Sequence, residues 1–298
     1  MLQVSSRGPI TRLHLGRSIL GRPLRTVEAY LVDGVLIDSG PPATSRELAR
    51  WCEDQVLEQV VNTHHHEDHS GGNRALQRAL GVQVAAPAKA VAILRAFPQL
   101  EPYRRVLWGT PEDIEPASLA EKVETQKYRL DVIRTPGHCP DHVCFFEPRE
   151  GWLFSGDLFI HERACYLTAG ESAYEILSSL RRVRALRPRL MMCSHAGFVE
   201  EPCAAIDRKL RYWEEIAERA WALRKAGHGT AEIRDALLGA EGLEARLSRG
   251  HFSKKNLIES LLDRQLRGAA SHPSQLRGEA RAADTNRVGR DAEDLATH

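Results

Sequence analysis

The 298-residue sequence is short of several things. It has no apolar run long enough to span a bilayer, so a membrane-crossing helix is not expected. It has no excess of charge: 41 Lys and Arg stand against 40 Asp and Glu, a formal net of +1, and nothing marks a general binder of polyanions. The six cysteines, Cys52, Cys139, Cys144, Cys165, Cys193 and Cys203, contain no C-x-x-C pair and no dense framework, which points to a reducing compartment. Aromatics make up only 6%, few for a surface that stacks on bases. The N-terminus carries Arg7 and Arg12 with no apolar stretch behind them, so no signal peptide is evident. A soluble cytoplasmic protein is the expectation.

What the sequence does have is a concentration of histidine in one place. Asn62-Thr63-His64-His65-His66-Glu67-Asp68-His69-Ser70-Gly71-Gly72 follows the apolar pair Val60-Val61 and precedes the helix-like Asn73-Arg74-Ala75-Leu76. Imidazole nitrogen mixed with carboxylate oxygen suits zinc and similar borderline ions, whereas calcium prefers oxygen alone. On an extended backbone His64 and His66 point the same way, Asp68 continues that alternation and His69 leaves it. His65 and Glu67 then act as spacers. The bland reading, a solvated polar loop, competes with a metal site that needs further ligands downstream.

Strand-like and helix-like segments alternate over the first 200 residues, which predicts an α/β arrangement. Short β segments span 10–38 with a turn at Asp33-Gly34, and Ser45–Cys52 reads as a helix. Residues 98–127, with Pro98, Pro102, Pro111 and Pro116, read as an irregular loop that either shapes a substrate site or is a tolerated insertion. Beyond 200 the chain turns helical: Ala204–Lys225, a helix that Thr230 can cap, and another that Ser253 can cap. From about residue 267 apolar periodicity disappears, and 267–298 read as a disordered tail. The expected division is 1–200 for a catalytic unit, 201–266 for a helical C-terminal region and 267–298 for the tail.

One event recurs along the catalytic half. An apolar strand ends and a ligand-type residue stands just past it: Asp38, His138, Asp157 and His195. Any one of these is ordinarily a turn former. Their repetition matters because strand ends on one rim of a sheet converge in space.

Thr63-His64-x-His66-x-Asp68-His69-Ser70-Gly71-Gly72, Thr135-Pro136-Gly137-His138, Phe154-Ser155-Gly156-Asp157 and Ser194-His195-Ala196-Gly197 closely resemble the motifs of the metallo-β-lactamase superfamily, in that family's order, and Asp38-Ser39-Gly40 fits too. The resemblance spans roughly residues 10–200. It implies a four-layer αβ/βα sandwich with a dinuclear centre at one edge. It further implies that His64, His66 and His138 hold one metal, that Asp68, His69 and His195 hold the other, and that Asp157 bridges them. Asp38 either supports the His loop or merely closes a turn.

Two divalent cations held in this way, zinc first with manganese or iron as alternatives, would deprotonate a bridging water near neutral pH. The resulting hydroxide attacks an electrophilic carbon or phosphorus, and Asp68 and Asp157 are the expected catalytic carboxylates. No nucleophilic side chain is required. Dizinc β-lactamases of the family usually carry Cys where Asp157 stands, so antibiotic hydrolysis is not expected. Flavodiiron relatives replace His66 by Glu, β-CASP nucleases need a large insert, and characterised lactonases have a Tyr close behind the bridging Asp, where this chain has Leu158-Phe159-Ile160. The leading expectation is hydrolysis of a small ester, thioester or lactone. A phosphodiesterase or nuclease using Lys254-Lys255 of a winged-helix-like C-terminal region is the alternative, followed by a mononuclear iron sulfur dioxygenase. The blander roles for the C-terminal helices are to cap the cleft or to form a homodimer contact. His251 is expected to be structural, His65, His142 and His161 to lie behind the site or on the surface, and Cys139 and Cys193 to be small packing residues.

Overall fold

The computed structural model describes residues 1–19 and 22–263. The tail expected over 267–298 lies outside them. The first half contains β1 (Leu2–Arg7), β2 (Ile10–Leu15), β3 (Ser18–Ile19), β4 (Arg22–Pro23), β5 (Val27–Val32), β6 (Val35–Ile37), α1 (Ser45–Glu53), β7 (Gln59–Val61), α2 (Glu67–Ser70), α3 (Asn73–Leu80), β8 (Gln83–Ala86), α4 (Ala88–Arg95), α5 (Pro102–Trp108) and β9 (Ala117–Ser118). The second half contains β10 (Lys122–Glu124), β11 (Arg129–Arg134), β12 (Val143–Glu147), β13 (Trp152–Gly156), β14 (Leu167–Thr168), α6 (Ala173–Ala185), β15 (Leu190–Cys193) and β16 (Gly197–Val199). It closes with α7 (Pro202–Lys225), α8 (Thr230–Leu238), α9 (Leu243–Leu247), β17 (Phe252–Ser253) and α10 (Lys254–Leu262).

Two mixed sheets form, one in the order β1-β2-β5-β6-β7-β8-β9 and the other in the order β10-β11-β12-β13-β15-β16. The strands at their centres, β5, β6, β12 and β13, are buried throughout, including the polar Glu28, Glu147 and Ser155 that interrupt their apolar residues. The buried apolar side chains sort into three clusters, and those clusters define the layers. Leu48, Cys52, Leu76, Ala90 and Leu94 from α1, α3 and α4 pack on Leu13, Leu36, Val60 and Val84 of the first sheet. Tyr30, Ile37 and Val61 of that sheet meet Phe145, Phe154 and Met192 of the second between the sheets. Leu153 and Met191 on the far side of the second sheet pack with Leu177, Leu180, Ile206, Trp213 and Ile258 from α6, α7 and α10. Three interfaces make four layers, helix–sheet–sheet–helix, so the expected αβ/βα sandwich is the observed architecture.

The Asp33-Gly34 turn between β5 and β6 is present, with φ of 44° and 81°, the left-handed pair that a tight hairpin turn demands. The irregular loop expected over 98–127 is more ordered than its prolines suggested. Pro102 occupies the first turn of α5, where its missing N–H costs nothing, and Ala117–Ser118 adds β9 to the parallel edge of the first sheet. Farther on, Thr230 is the first helical residue of α8 and Gly229 precedes it, so Thr230 does not cap. Ser253 does cap α10, its side chain accepting from the Asn256 amide at 3.2 Å. Of the helices after residue 200, α7, α8 and α10 share their core with residues 144–193. β17 also pairs with β14, so the C-terminal region is stitched to the catalytic half by backbone hydrogen bonds as well as by packing.

Candidate metal centre

β6 and β7 are parallel neighbours, as are β13 and β15, and β11 runs the same way as β13 because β12 is antiparallel to both. Their C-terminal ends therefore reach one rim, where they deliver Asp38, the His loop, His138, Asp157 and His195. After Val61 the backbone bends through residues 63–65 and then begins α2 at Glu67. This corrects the expected extended alternation: a helical turn, not a strand, presents Asp68 and His69. Ser70 closes that turn, its amide donating to the His66 carbonyl at 2.9 Å and its hydroxyl at 3.0 Å. Gly71 follows because a Cβ there would stand 2.2 Å from Cδ and 2.4 Å from N of Pro42.

Two sets of donor atoms result, one of His64, His66 and His138 and one of Asp68, His69, Asp157 and His195. In the first, His66 Nδ1 faces His64 Nε2 at 3.0 Å and His138 Nε2 at 2.9 Å. Donors about 2.0–2.1 Å from a tetrahedral zinc lie roughly 3.3 Å apart, so the three nitrogens are close to one triangular face of such a shell. Burial first, and the neighbouring rings second, push His64 and His66 well below the ordinary imidazole range. Both are thus neutral rings with a lone pair to give. In the second set, His69 Nε2 and His195 Nε2 each lie 3.3 Å from Asp157 Oδ1, and they lie 3.7 Å and 3.9 Å from Asp68 Oδ2. Asp157 turns its other oxygen, Oδ2, toward the first set, 3.5 Å from His138 Nε2.

The residues present fit a pair of cations. His69 Nε2 and Asp157 Oδ1 are both buried and face each other, yet neither makes a well-formed hydrogen bond, a condition that buried polar atoms rarely tolerate without a partner. Burial opposes charge on His69, but Asp157, Asp68 and Asp38 together hold its pKa well above the ordinary value. The carboxylates thus demand positive charge at this point.

The rings of His64, His69 and His195 are also held from behind, which fixes the nitrogen each offers, and a carboxylate stands behind His138 without a well-formed hydrogen bond. Thr63 Oγ1 lies 3.0 Å from His64 Nδ1, Glu171 Oε1 lies 3.1 Å from His138 Nδ1, and the Thr26 carbonyl lies 3.0 Å from His195 Nδ1. Asp38, buried at a φ of 62°, accepts from the Thr63 amide, the Thr63 hydroxyl and His69 Nδ1, all at 2.8 Å. Of the two readings open for Asp38, support of the His loop is the observed one. His142 is buried: its Nδ1 meets Thr135 Oγ1 at 2.8 Å and its Nε2 accepts from the Asp157 amide at 3.1 Å.

A third group, His65, Cys139 and Asp141, has donor atoms equally close together. Its oxygens are already engaged. Asp141 Oδ2 accepts from the His65 amide and Oδ1 pairs with His65 Nδ1, each at 2.9 Å. It is a latch between the His loop and the His138 loop, and His65 is more than a spacer. Burial opposes ionisation of Asp141, but the His65 hydrogen bond and charge outweigh it and lower the pKa. A carboxylate with a lowered folded pKa stabilises above its unfolded value, about 3.9, and loses that contribution as pH falls through the folded value. Asp141→Asn is therefore expected to cost about 1.5–3 kcal/mol at pH 7. The gap to wild type should close below a pH of about 3.9, as read by chemical denaturation across acidic to neutral pH.

Glu67 is the larger correction. Its side chain is 0% exposed and forms a two-pronged ion pair with Arg104 of α5, at 2.7 and 2.6 Å. Burial and then Asp68 raise the Glu67 pKa against the opposing pull of Arg104. The neighbouring Tyr103 hydroxyl meets His251 Nδ1 at 2.7 Å. The segment read as a loop thus joins the metal turn to the C-terminal region.

Over residues 22–195 the chain matches the family model of the metallo-beta-lactamase superfamily. It belongs to that superfamily. A hydroxyacylglutathione hydrolase of Rhodospirillum rubrum is 31% identical over 204 residues, which cover 67% of this chain and 70% of that protein. The Drosophila melanogaster beta-lactamase-like protein 2 homolog is 28% identical over 204 residues, 65% of this chain and 66% of that one. A hydroxyacylglutathione hydrolase of Maricaulis maris is 31% identical over 140 residues, 47% of this chain and 48% of the relative. The chain thus covers between about half and 70% of the length of these three curated relatives. Among solved structures, a beta-lactamase domain protein from Burkholderia ambifaria aligns with a TM-score of 0.66 at 18% identity, over 87% of each chain. A metallo-beta-lactamase family protein from Thermus thermophilus gives 0.57 at 22%, over 84% of this chain and 90% of that one. These likenesses concern the superfamily fold.

The seven residues that the superfamily motifs marked are brought together at the rim. The residues that hold them, Glu67, Arg104, Asp141, His142 and Thr26, carry no motif of their own. The signal closest to hand was Glu67, an acid at a position that proved buried.

Proposed function

We propose that this superfamily member is a metal-dependent hydrolase of a small ester, thioester or lactone, working with two divalent ions. The observation that carries the reading is Asp157, one oxygen of which faces His69 and His195 while the other faces His138. His64, His66 and His138 would hold one ion, and Asp68, His69 and His195 the other, with Asp157 shared. Such a pair of ions supplies a water of lowered pKa and polarises the substrate oxygen that gains charge. Zinc is the first expectation, with manganese and iron open to the same nitrogen–oxygen set.

The protein's own groups do the rest. Asp68 Oδ2 faces the space between His69 and His195, where a carboxylate can orient a water and take its proton. Of the seven, His66 and His195 are the two that are not fully buried, so each donor set reaches toward the surface at one ring. The thioester end of the substrate range is supported by relatives named hydroxyacylglutathione hydrolase. The nucleic-acid alternative finds less support, because Lys254 Nζ is spent on the Leu238 and Ala240 carbonyls at 2.7 and 3.0 Å.

The test is elemental analysis of carefully prepared protein together with a panel of acyl thioester, lactone, bis(p-nitrophenyl) phosphate and glutathione persulfide. About two equivalents of metal per chain and turnover of a thioester or lactone are expected. Metal content near zero would sink the reading. Turnover confined to the phosphodiester, or oxygen uptake with the persulfide, would transfer it to one of the two alternatives.

A further inference from the structure

α7 carries a residue that the reading above does not use. Lys209 is only 2% exposed, deep in the cluster between the second sheet and its helices. It makes no ion pair with any described carboxylate. Its ammonium donates to the Phe159 carbonyl and lies 4.8 Å from the Trp213 ring centroid and 5.7 Å from that of Phe159. An ammonium in such surroundings is expensive, and natural cores seldom retain one without a use. Burial lowers its pKa to about 8, against the pull of Cys193, Glu171 and Asp157.

The carbonyl it holds lies two residues after the shared carboxylate. From Asp157 the chain makes a tight reversal: the Leu158 amide donates to the Ser155 carbonyl at 3.1 Å and the His161 amide to the Phe159 carbonyl at 2.7 Å. Between them Ile160 sits at a φ of 56°, a region that β-branched residues strongly disfavour. Such a backbone persists only where its surroundings over-determine it. Cys193 Sγ is near, 3.9 Å from the Gly156 carbonyl and 4.0 Å from that of Ile160, but a thiol is a weak donor. The strong donor at the reversal is the ammonium.

We propose that Lys209 is a positioning residue for the shared carboxylate: by gripping the Phe159 carbonyl it locks the left-handed reversal at Ile160 and fixes the direction in which Asp157 presents its two oxygens. The inference rests on the two-metal reading for its metal arm alone.

The test uses the full chain, stripped of metal and restored with zinc. Zinc affinity is measured by competition with a chromophoric chelator. Amide exchange over 157–161 and the melting temperature are measured on the metal-free protein. In Lys209→Met, zinc affinity is expected to fall about 10- to 100-fold, the usual effect of removing a group that orients a ligand. Exchange over 157–161 should accelerate. The metal-free melting temperature should stay level or rise, because an unbranched apolar chain no longer buries a charge. Lys209→Gln keeps an N–H donor of shorter reach and should fall between the two. Unchanged affinity with unchanged exchange overturns the proposal, as does a lowered melting temperature with unchanged affinity, the signature of packing alone. If Lys209→Met does not fold, Lys209→Gln decides: weaker zinc binding and faster exchange support the role, and wild-type values for both overturn it. If wild-type protein takes up neither zinc nor manganese nor iron, the two-metal reading fails while exchange over 157–161 still decides whether Lys209 holds the reversal.

Discussion

In Asp157→Ala, turnover of a thioester or lactone is expected to fall by roughly 10³-fold or more, since losing metal polarisation removes several kcal/mol of transition-state stabilisation. Metal content should fall with it, from about two equivalents to one or fewer. The reason is geometric. Among the described residues Asp157 is the one with an oxygen toward each donor set, 3.3 Å from His69 and His195 on one side and 3.5 Å from His138 on the other. Under the proposed two-metal reading, removing it takes an oxygen from both sets at once and leaves Asp68, 3.7 Å from His69 and 3.9 Å from His195, as the carboxylate facing both of those rings. Asp157→Asn keeps the shape but lowers the charge, and should retain more metal than the alanine variant. Elemental analysis and steady-state kinetics on the same preparations read both effects. An alanine variant that holds two equivalents and turns over at the wild-type rate would show that the carboxylate is not shared.

The second large effect is on stability. Arg104→Met leaves the Glu67 carboxylate buried beside Asp68 with no counter-charge, and breaking a buried pair from one side costs about 3–5 kcal/mol. For a chain of this size that corresponds to a fall of roughly 10 °C in melting temperature. The double variant Glu67→Met/Arg104→Met should recover most of the loss, because no charge is then left buried. The pH dependence has a definite sign. Glu67 has a raised pKa in the fold, so its contribution is most favourable below the unfolded value and is lost as pH rises through the folded one. Without Arg104 to oppose the rise, the deficit of Arg104→Met should grow between acidic and neutral pH. Thermal melts at about pH 5 and about pH 7.5 measure this. Equal deficits at the two pH values would mean that α5 is held by packing and not by the ion pair.

The two effects act on different parts of one loop. Asp157 approaches it from the second sheet, while Glu67 ties its helical turn to α5, which meets His251 of the C-terminal region through Tyr103. A substitution at Arg104 therefore reaches the helical turn of the His loop and, through α5, the contact with the C-terminal region. Substrate choice is expected to respond to α5 and the 251–253 segment more than to the rim of ligands.

The sequence by itself determined the strand ends and the chemistry placed there. His64, His66, Asp68, His69, His138, Asp157 and His195 were legible as candidate ligands because their residue types recur past successive apolar strands and because their motifs resemble those of the superfamily, and the fold brings their donor atoms together. The α/β layering was legible for a similar reason: side-chain period and turn residues are local properties. Only the tertiary structure decided what stands behind each ligand. Arg104 reaches Glu67 across 37 residues of sequence, Asp141 reaches His65 across 76, and Thr26 reaches His195 across 169. These contacts follow from how two sheets stack face to face, which no local pattern encodes. The same holds for Lys209, which reads as one more charge on a mixed helix until the fold turns it inward. A ligand announces itself by its own chemistry, whereas a group that orients a ligand is defined by where a distant segment happens to pass.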